Sequence, residues 1–166
     1  AGSARSSLQD VRNVLATETQ ALYRPARFDD LVDGVRSAGR EVRVEEEGTP
    51  RPLPPELDEV VHRVAQEMLT NAVKHGRRDR AIRVRRHWPA GSREEMLRVE
   101  VVNAVPQYPE VWPSAAHAPG RGLDGMRRRL EAVGGRLDVE RRDGAEGTEF
   151  AAVAWVPLRG ARPLGG

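Results

Sequence analysis

One stretch of the sequence places four chemically capable side chains within two turns of an expected helix. The run QEMLTNAVKHG, residues 66–76, contains Glu67, Asn71, Lys74 and His75. At about 100° per residue, the first three share one edge of the helix, beside its apolar face. Together the four can offer oxygen ligands, accept a proton and hold an anion. The alternative interpretation is that they are solvated residues on an ordinary amphipathic helix.

A second candidate site is the run GRGLDG, a literal G-x-G-x-x-G formed by Gly120, Gly122 and Gly125. By itself this motif suggests dinucleotide binding, and Glu140 lies at a suitable distance downstream. A Rossmann site, however, needs a strand directly before the first glycine, whereas the run SAAHAP precedes it here. Too little chain follows for the second half of such a sheet. The glycines therefore need another explanation.

Composition narrows the remaining chemistry. The chain has no cysteine, which excludes disulfides and thiolate metal sites and favours a reducing compartment, with the cytoplasm as the expected location. The phosphate-loop signature G-x-x-x-x-G-K-[ST], a recognisable hydrolase pattern and a histidine pair with metal-ligand spacing are also absent from the sequence. Its 27 basic residues, of which only Lys74 is a lysine, are interspersed with 25 acidic ones. This mixture favours a solvated surface over a nucleic-acid interface.

Hydrophobic periodicity predicts the helices that position these residues. A long helix runs from about Pro55 to His75 and is ended by Gly76. A shorter helix covers residues 28–39, with Asp29 as its cap. The run LDGMRRRLEAVGG predicts a third helix that begins near Leu123. The apolar face of the long helix comprises Val61, Val64, Ala65, Met68, Leu69, Ala72 and Val73.

Alternating patterns predict strands in REVRVEEEG, in AIRVRRHW and MLRVEVVNA as a hairpin, and in the two halves of RLDVERRDGAEGTEFAAVAWVP. Residues 104–122 carry four prolines and predict a long irregular loop. The elements alternate between sheet and helix, which predicts one layer of helices on one face of a mixed sheet. The inward strand residues are Ile82, Val84, Leu97, Val99 and Val101.

The two ends of the sequence differ from this pattern. Leu8, Val11, Leu15 and Leu22 form a narrow apolar stripe, which predicts an amphipathic helix that needs a partner. The start AGS, without Met, suggests a fragment of a longer protein. The tail LRGARPLGG is expected to be disordered, and no apolar run approaches the ~18 residues of a membrane span.

The order of these runs resembles the ATP-binding catalytic domain of bacterial sensor histidine kinases, in the subfamily partnered with LuxR/NarL-type response regulators. The runs that carry the resemblance are EMLTNAVKHG on a helix, a strand ending in a polar residue, a Pro- and Gly-bearing loop, GRGLDGMRRRLEAVGG and a GTEF strand. The resemblance covers roughly residues 28–157. It implies the GHKL (Bergerat) ATP-binding fold, an α/β two-layer sandwich whose mixed, mostly antiparallel sheet is covered on one face by helices.

The resemblance also implies a domain organisation and partners. Residues 1–24 would be the end of a dimerisation and phosphoacceptor helix with its linker, residues 25–158 the catalytic domain, and residues 159–166 a tail. The implied partners are the phosphoacceptor domain of a homodimeric parent kinase, with or without a membrane anchor, and a response regulator, but no nucleic acid directly. None of the four histidines, His62, His75, His87 and His117, is followed by the acid expected beside a phosphoacceptor.

The resemblance assigns ATP and Mg²⁺ as cofactors and gives the polar helix residues their roles. Asn71 would ligate the metal, whereas Glu67 would orient a metal-bound water or take the proton of the attacking imidazole. Lys74 would support the phosphates, and His75 would do likewise. The lid over the nucleotide would comprise Gly120, Arg121, Gly122, Leu123, Gly125 and Met126, and Thr148 would lie near the adenine.

One position departs from the family pattern. Asn103 stands where most relatives carry an adenine-binding aspartate, and Val105 and Pro106 stand where a glycine is expected. An amide oxygen can still accept a hydrogen bond from the adenine amine. Three alternatives to a histidine kinase remain at this point: a serine protein kinase of the anti-sigma type, a non-catalytic nucleotide-binding pseudokinase, and an arginine-rich nucleic-acid binder.

Overall fold

Three helices and five strands form the part of the chain that the structure, a computed structural model, describes: residues 26–90, 95–106 and 121–158. The predicted helix within residues 6–22, most of the long loop and the tail lie outside these ranges. In chain order the elements are α1 (Ala26–Ser37), β1 (Val42–Glu47), α2 (Pro55–His75), β2 (Ile82–His87), β3 (Met96–Ala104), α3 (Arg121–Glu131), β4 (Arg136–Gly144) and β5 (Gly147–Pro157).

The strands form one sheet in the order β1-β2-β3-β5-β4. Strands β1 and β2 pair in parallel, with Val42 opposite Ile82, and the other three pairings are antiparallel. A parallel pair needs a crossover connection of a dozen or more residues, which α2 supplies. The predicted mixed, mostly antiparallel sheet is therefore confirmed, as is the antiparallel pairing of β2 with β3.

One face of this sheet carries the helices and the hydrophobic core. Alternate strand residues project onto that face, and α2 packs between α1 and α3 across it. The predicted inward residues of β2 and β3 are all buried. The side chains with the least exposure are Ile82, Leu97 and Leu130, each 0% exposed. These observations confirm the two-layer arrangement of helices on one sheet face.

The opposite sheet face is covered by ion pairs instead of helices. Arg83 pairs with Glu149 at 2.7 Å across the strands, and Glu45 of β1 pairs with Arg85 of β2 at 2.8 Å. Glu100 is only 5% exposed and lies 2.5 Å from Arg98. Stems of these long side chains cover apolar residues such as Val153, which is 7% exposed. Arginines on this face are thus paired with acidic side chains of the same or neighbouring strands.

The helix boundaries follow the sequence pattern with small differences. The long helix has the predicted limits, Pro55 and His75. The short helix begins at Ala26, not residue 28, so Asp29 lies in its first turn and does not cap it. Arg27, one of the two additional residues, forms an ion pair of 3.0 Å with Asp58 on α2, a contact that no local pattern specifies. Within the described part of the chain, no helix has the length and apolar character to cross a membrane.

Candidate functional site

The C-terminal half of α2 presents its polar edge beside the core. Met68, Leu69 and Ala72 are buried in the core, whereas Glu67 and Asn71 are half-buried. The spacing of four residues places Glu67 and Asn71 one above the other on one edge of the helix. The core contacts therefore fix the helix orientation and bring this carboxylate and this amide to the rim of the helical layer.

The first turn of α3 lies against these two side chains. A β-carbon placed on Gly122 would lie 3.6 Å from Glu67 Oε2 and 3.9 Å from both amide atoms of Asn71. Because glycine has no β-carbon, the α3 backbone can approach a group held between it and α2. Glu67, Asn71 and Gly122, which are distant in sequence, thus meet where α2 faces the start of α3, and we call this meeting point the cleft.

The α3 helix begins at Arg121, two residues before the predicted start near Leu123. The sequence pattern locates a helix from its first apolar residue, whereas a first turn needs no apolar side chain. Gly122 consequently belongs to this first turn, where backbone N–H groups lack intrahelical partners and carry partial positive charge. The cleft therefore combines two oxygen-bearing side chains with an end of a helix that attracts anions.

The other predicted residues of the glycine motif differ in placement. Leu123 is half-buried and packs against the core, and a β-carbon added to Gly125 would meet nothing within 4 Å. Met126 is 1% exposed and belongs to the core, so it supports α3 rather than lining the cleft. Gly120 lies outside the described residues. Of this motif, Gly122 is the residue that the structure brings to Glu67 and Asn71.

A second group of predicted residues meets where α2 ends. A β-carbon on Gly76 would collide with the Ala72 carbonyl oxygen and lie 3.2 Å from the Asn103 amide nitrogen. The φ angle of Gly76 is −79°, so close approach to these atoms, not a left-handed backbone, explains the glycine. Asn103 at the end of β3 is therefore packed directly beneath the last turn of α2.

Thr148 lies on β5 two residues before Phe150, the residue opposite Asn103 in the β3–β5 pairing. The backbone N–H of Val105 donates to the Thr148 carbonyl oxygen at 2.9 Å. The Thr148 hydroxyl donates to Asp143 Oδ1 at 2.7 Å, which fixes the side chain. Asn103 and Thr148 are each 5% exposed. The Asn103 amide nitrogen has a long contact of 3.4 Å to the Ala104 carbonyl oxygen, which leaves its own carbonyl oxygen as the acceptor on this side.

Lys74 and His75 end α2 as exposed side chains. Neither forms a hydrogen bond or ion pair with any residue in the described ranges. The ammonium group of Lys74 is therefore available to an anion near the end of the helix. Placing a cation there is also favourable because the last turn of a helix carries partial negative charge.

Arg40, which belongs to none of the sequence motifs, holds the end of α2 in place. The residue is 8% exposed, and its guanidinium group donates to the backbone oxygens of Val73 at 3.4 Å and Arg77 at 2.9 Å. The Arg77 N–H in turn donates to the Ala104 oxygen at 2.8 Å, which ties the same segment to β3. A single arginine after a glycine resembles a solvated residue, so local sequence carries no signal for this contact.

We expect Arg40→Met to lower the free energy of unfolding by about 1–3 kcal/mol, because two carbonyl groups at the helix end lose a buried charged donor. Urea denaturation followed by circular dichroism measures the change. Arg43→Met is the matched control, since Arg43 is exposed and pairs with Glu41 at the surface. Equal stability of the two variants would contradict the proposed role of Arg40.

Comparison with known families decides which kind of domain contains this cleft. Residues 57–160, more than half of the chain, match the family described as "Histidine kinase-, DNA gyrase B-, and HSP90-like ATPase". The chain belongs to this ATPase family. Membership implies that the domain uses ATP, which agrees with the predicted cofactor.

Individual relatives of this ATPase domain are histidine kinases. The chain is 31% identical over 127 residues to the signal transduction histidine-protein kinase/phosphatase UhpB of Salmonella typhimurium. That alignment covers 70% of this chain but 24% of UhpB, so the chain spans about a quarter of this relative. The domain is thus homologous to the catalytic part of sensor histidine kinases, and the predicted family is confirmed.

Solved structures support the fold of the ATPase domain. The histidine kinase domain of the Erythrobacter litoralis blue-light activated kinase superposes with a TM-score of 0.58 at 25% identity, covering 79% of this chain and 59% of that one. The mycobacterial sensor histidine kinase MprB gives a TM-score of 0.60 at 19% identity, covering 81% of this chain and 95% of that one. The predicted GHKL fold is therefore confirmed.

Proposed function

We propose that this domain binds ATP with Mg²⁺ in the cleft between α2 and α3 and presents the γ-phosphate to a histidine of its parent kinase. The phosphoryl group would then pass to an aspartate of a LuxR/NarL-type response regulator. The observation that supports this most strongly is the convergence of Glu67 and Asn71 on the β-carbon-free first turn of α3 at Gly122. The family match supplies the expectation of ATP, and this geometry supplies a place for its phosphates.

The side chains of the cleft fit a magnesium ion shared with phosphates. Mg²⁺ prefers oxygen ligands and is commonly held by one or two protein groups plus substrate phosphates and water. Asn71 Oδ1 is such an oxygen, and Glu67 Oε2, on the same edge of α2, could orient a water bound to the ion. Within the described ranges, no group of three or more His, Cys, Asp or Glu residues is arranged to hold a metal ion. When bound, Mg²⁺ would neutralise negative charge on the β- and γ-phosphates.

The backbone and Lys74 would complete the phosphate site. The N–H groups of the first α3 turn can donate to phosphate oxygens, and the partial positive charge of that helix end favours the anion. The exposed ammonium of Lys74 can approach the same phosphates, with His75 beside it. Gly120 and Arg121 are proposed to extend the lid on the N-terminal side of this turn.

The chemical step transfers a phosphoryl group to imidazole. A nitrogen of the acceptor histidine would attack the γ-phosphorus while the bond to the bridging oxygen breaks and ADP leaves. Glu67, whose carboxylate faces Gly122, would accept the proton that the attacking imidazole must lose or orient a water that does so. Asn71 would meanwhile hold the phosphates in line for attack.

The base is proposed to lie at the other end of the site, against Asn103 and Thr148. The Asn103 oxygen would accept a hydrogen bond from the adenine amine in place of the usual carboxylate. An amide is a weaker acceptor than a carboxylate because it lacks the charge. The Thr148 hydroxyl, held by Asp143, would accept a further hydrogen bond from the base or from water near it.

The proposed domain boundaries follow the sequence expectation. Residues 25–158 would form the catalytic domain, with residues 1–24 leading from the dimerisation helices of the parent and residues 159–166 forming a tail. The parent kinase would be a cytoplasmic or membrane-anchored homodimer that supplies the phosphoacceptor histidine. Nucleic acid is not proposed as a direct partner.

Radiolabelled ATP added to the full-length parent protein tests this function. We expect magnesium-dependent labelling that is acid-labile, as phosphohistidine is, followed by transfer to a purified response regulator. Acid-stable label would instead identify a serine kinase. Nucleotide binding without any labelling would identify a pseudokinase, and binding of nucleic acid that weakens steeply with salt and ignores magnesium would favour the nucleic-acid alternative.

We expect Gly122→Leu to weaken ATP binding about tenfold, because its side chain would fill the space between α3 and the two oxygens of α2. Gly125→Leu, at a position with nothing within 4 Å, is the matched control for the change in helix propensity. Calorimetric titration with ATP and Mg²⁺ compares the two. If the Gly122→Leu and Gly125→Leu variants bound ATP with equal affinity, the phosphates would not bind beside Gly122.

A further inference from the structure

A cavity of about 230 Å³ lies against the N-terminal half of α2. Its walls come from the start of α1, the ends of β1 and β2, the residues around Arg51 and the α2 residues from Asp58 to Ala65. None of the proposed nucleotide residues lines it. We call it the far cavity.

The walls of the far cavity concentrate buried polar atoms without partners. Four buried side-chain nitrogen or oxygen atoms in the described residues lack a hydrogen-bond partner, and three belong to cavity-lining residues. They are His62 Nδ1, Arg86 Nε and Trp88 Nε1. A buried donor or acceptor left unpaired has lost its hydrogen bonds to water without gaining a protein partner. Three such atoms around one cavity call for an explanation, and a bound molecule that accepts hydrogen bonds is one.

The chemistry of these atoms restricts what can satisfy them. The indole N–H of Trp88 and the Nε–H of Arg86 can only donate, so a binding partner must bring an acceptor. Burial lowers the pKa of His62, which keeps its ring neutral at physiological pH and able to donate or accept one hydrogen bond. Each of the three lining arginines already has an acidic partner: Arg86 pairs with Glu46 at 2.5 Å, Arg27 with Asp58 at 3.0 Å and Arg51 with Glu95 at 3.4 Å. An oxygen acceptor is therefore required, but a strongly charged ligand is not.

The remaining walls suit a small apolar body. The guanidinium of Arg86 lies 3.8 Å from the centre of the Phe28 ring, and the side chains of Leu31, Val61 and Leu97 complete an apolar lining. A cavity of about 150 Å³ can hold a benzene molecule. The far cavity can thus accommodate one ring or branched chain with a small polar substituent.

We propose that the far cavity binds a small molecule with an aromatic or branched aliphatic body and a carbonyl or carboxylate oxygen, which accepts hydrogen bonds from Trp88 and Arg86. Both donor atoms are buried in the wall, so their side chains must rotate toward the ligand on binding. That rotation and the small size of the ligand together limit the affinity of a simple probe to a dissociation constant on the order of 1 mM.

Benzoate, benzamide and benzylamine are suitable probes because they share a ring and differ in the polar group. Proton–nitrogen correlation spectra of the domain resolve the indole N–H of each tryptophan, and Trp88→Phe assigns the Trp88 signal. We expect benzoate and benzamide to shift this signal in a saturable manner and benzylamine to leave it unchanged. A stronger response to benzoate than to benzamide would identify a carboxylate ligand, and the reverse order a neutral carbonyl.

Trp155 provides an internal control, since its indole N–H already donates to Asp138 at 3.0 Å and its signal should not move. Val61→Phe, at a half-buried lining position, should fill the cavity and weaken the response at least about tenfold while ATP affinity stays unchanged. Arg86→Lys, which keeps a cation for Glu46 but loses the guanidinium donor, tests the same point if Val61→Phe does not fold. The proposal would be overturned if neither benzoate nor benzamide shifted the Trp88 signal, or if benzylamine shifted it as much as they did.

Discussion

Asn71→Ala is expected to weaken magnesium-dependent ATP binding at least about 100-fold while the domain stays folded. The side chain is half-buried at the rim of α2 and its amide atoms face Gly122, so its loss removes an oxygen from the cleft without opening the core. A metal shared with phosphates has few protein ligands, and each therefore carries a large part of the affinity. Calorimetric titration with ATP in the presence of Mg²⁺ measures the effect.

Two controls separate metal binding from general damage. Thr70→Ala, one residue earlier on α2, should leave the affinity close to that of the parent domain. Asn71→Asp keeps an oxygen at the same position and should retain more of the magnesium dependence than Asn71→Ala. If ATP binds Asn71→Ala as tightly as the unmodified domain, the metal assignment fails, even though the family membership would stand.

Glu67→Gln is expected to slow phosphotransfer by about 10²–10⁴-fold and to change ATP affinity by less than about threefold. The substitution keeps the shape and one oxygen of the side chain but removes its ability to accept a proton. Its Oε2 atom lies on the side facing Gly122, where the phosphates are proposed to bind. A single-turnover assay with the full-length parent and radiolabelled ATP gives the rate, and a separate titration gives the affinity.

Glu56→Gln is the matched control for this experiment because it makes the same change in the first turn of the same helix, away from the cleft. We expect it to transfer phosphate at the normal rate. An unchanged rate in Glu67→Gln would show that the acceptor imidazole loses its proton elsewhere. A joint loss of affinity and rate would instead place Glu67 among the groups that bind the ground state.

The local sequence pattern is sufficient to predict the helix and strands that carry the site residues. Pro55 marks the start of α2 and Gly76 marks its end. The spacing of its apolar residues identifies the buried face, and the polar edge with Glu67 and Asn71 follows from that face. Alternation likewise predicted the core-facing residues of β2 and β3. These features depend on residues close together in the chain, and the physical rules that govern them act at short range.

Contacts between distant segments could not be derived in the same way. The approach of Gly122 to Asn71 depends on how α3 packs across the sheet, and the position of Met126 in the core follows from the same packing. Arg40 binds carbonyl groups more than thirty residues away, at Val73 and Arg77. The resemblance to a known family indicated the cleft, but it indicated neither Arg40 nor the far cavity.

The ion-paired sheet face should make the stability of the domain depend on temperature and salt. The free-energy cost of desolvating charged groups falls as the temperature rises. Cross-strand ion pairs such as Arg83 with Glu149 and Arg85 with Glu45 therefore become relatively more stabilising at higher temperature. Dissolved ions screen the same exposed pairs. Molar sodium chloride should therefore weaken the stabilisation that these ion pairs provide. The hydrophobic core between the helices and the sheet does not depend on such pairs and is not affected by this screening.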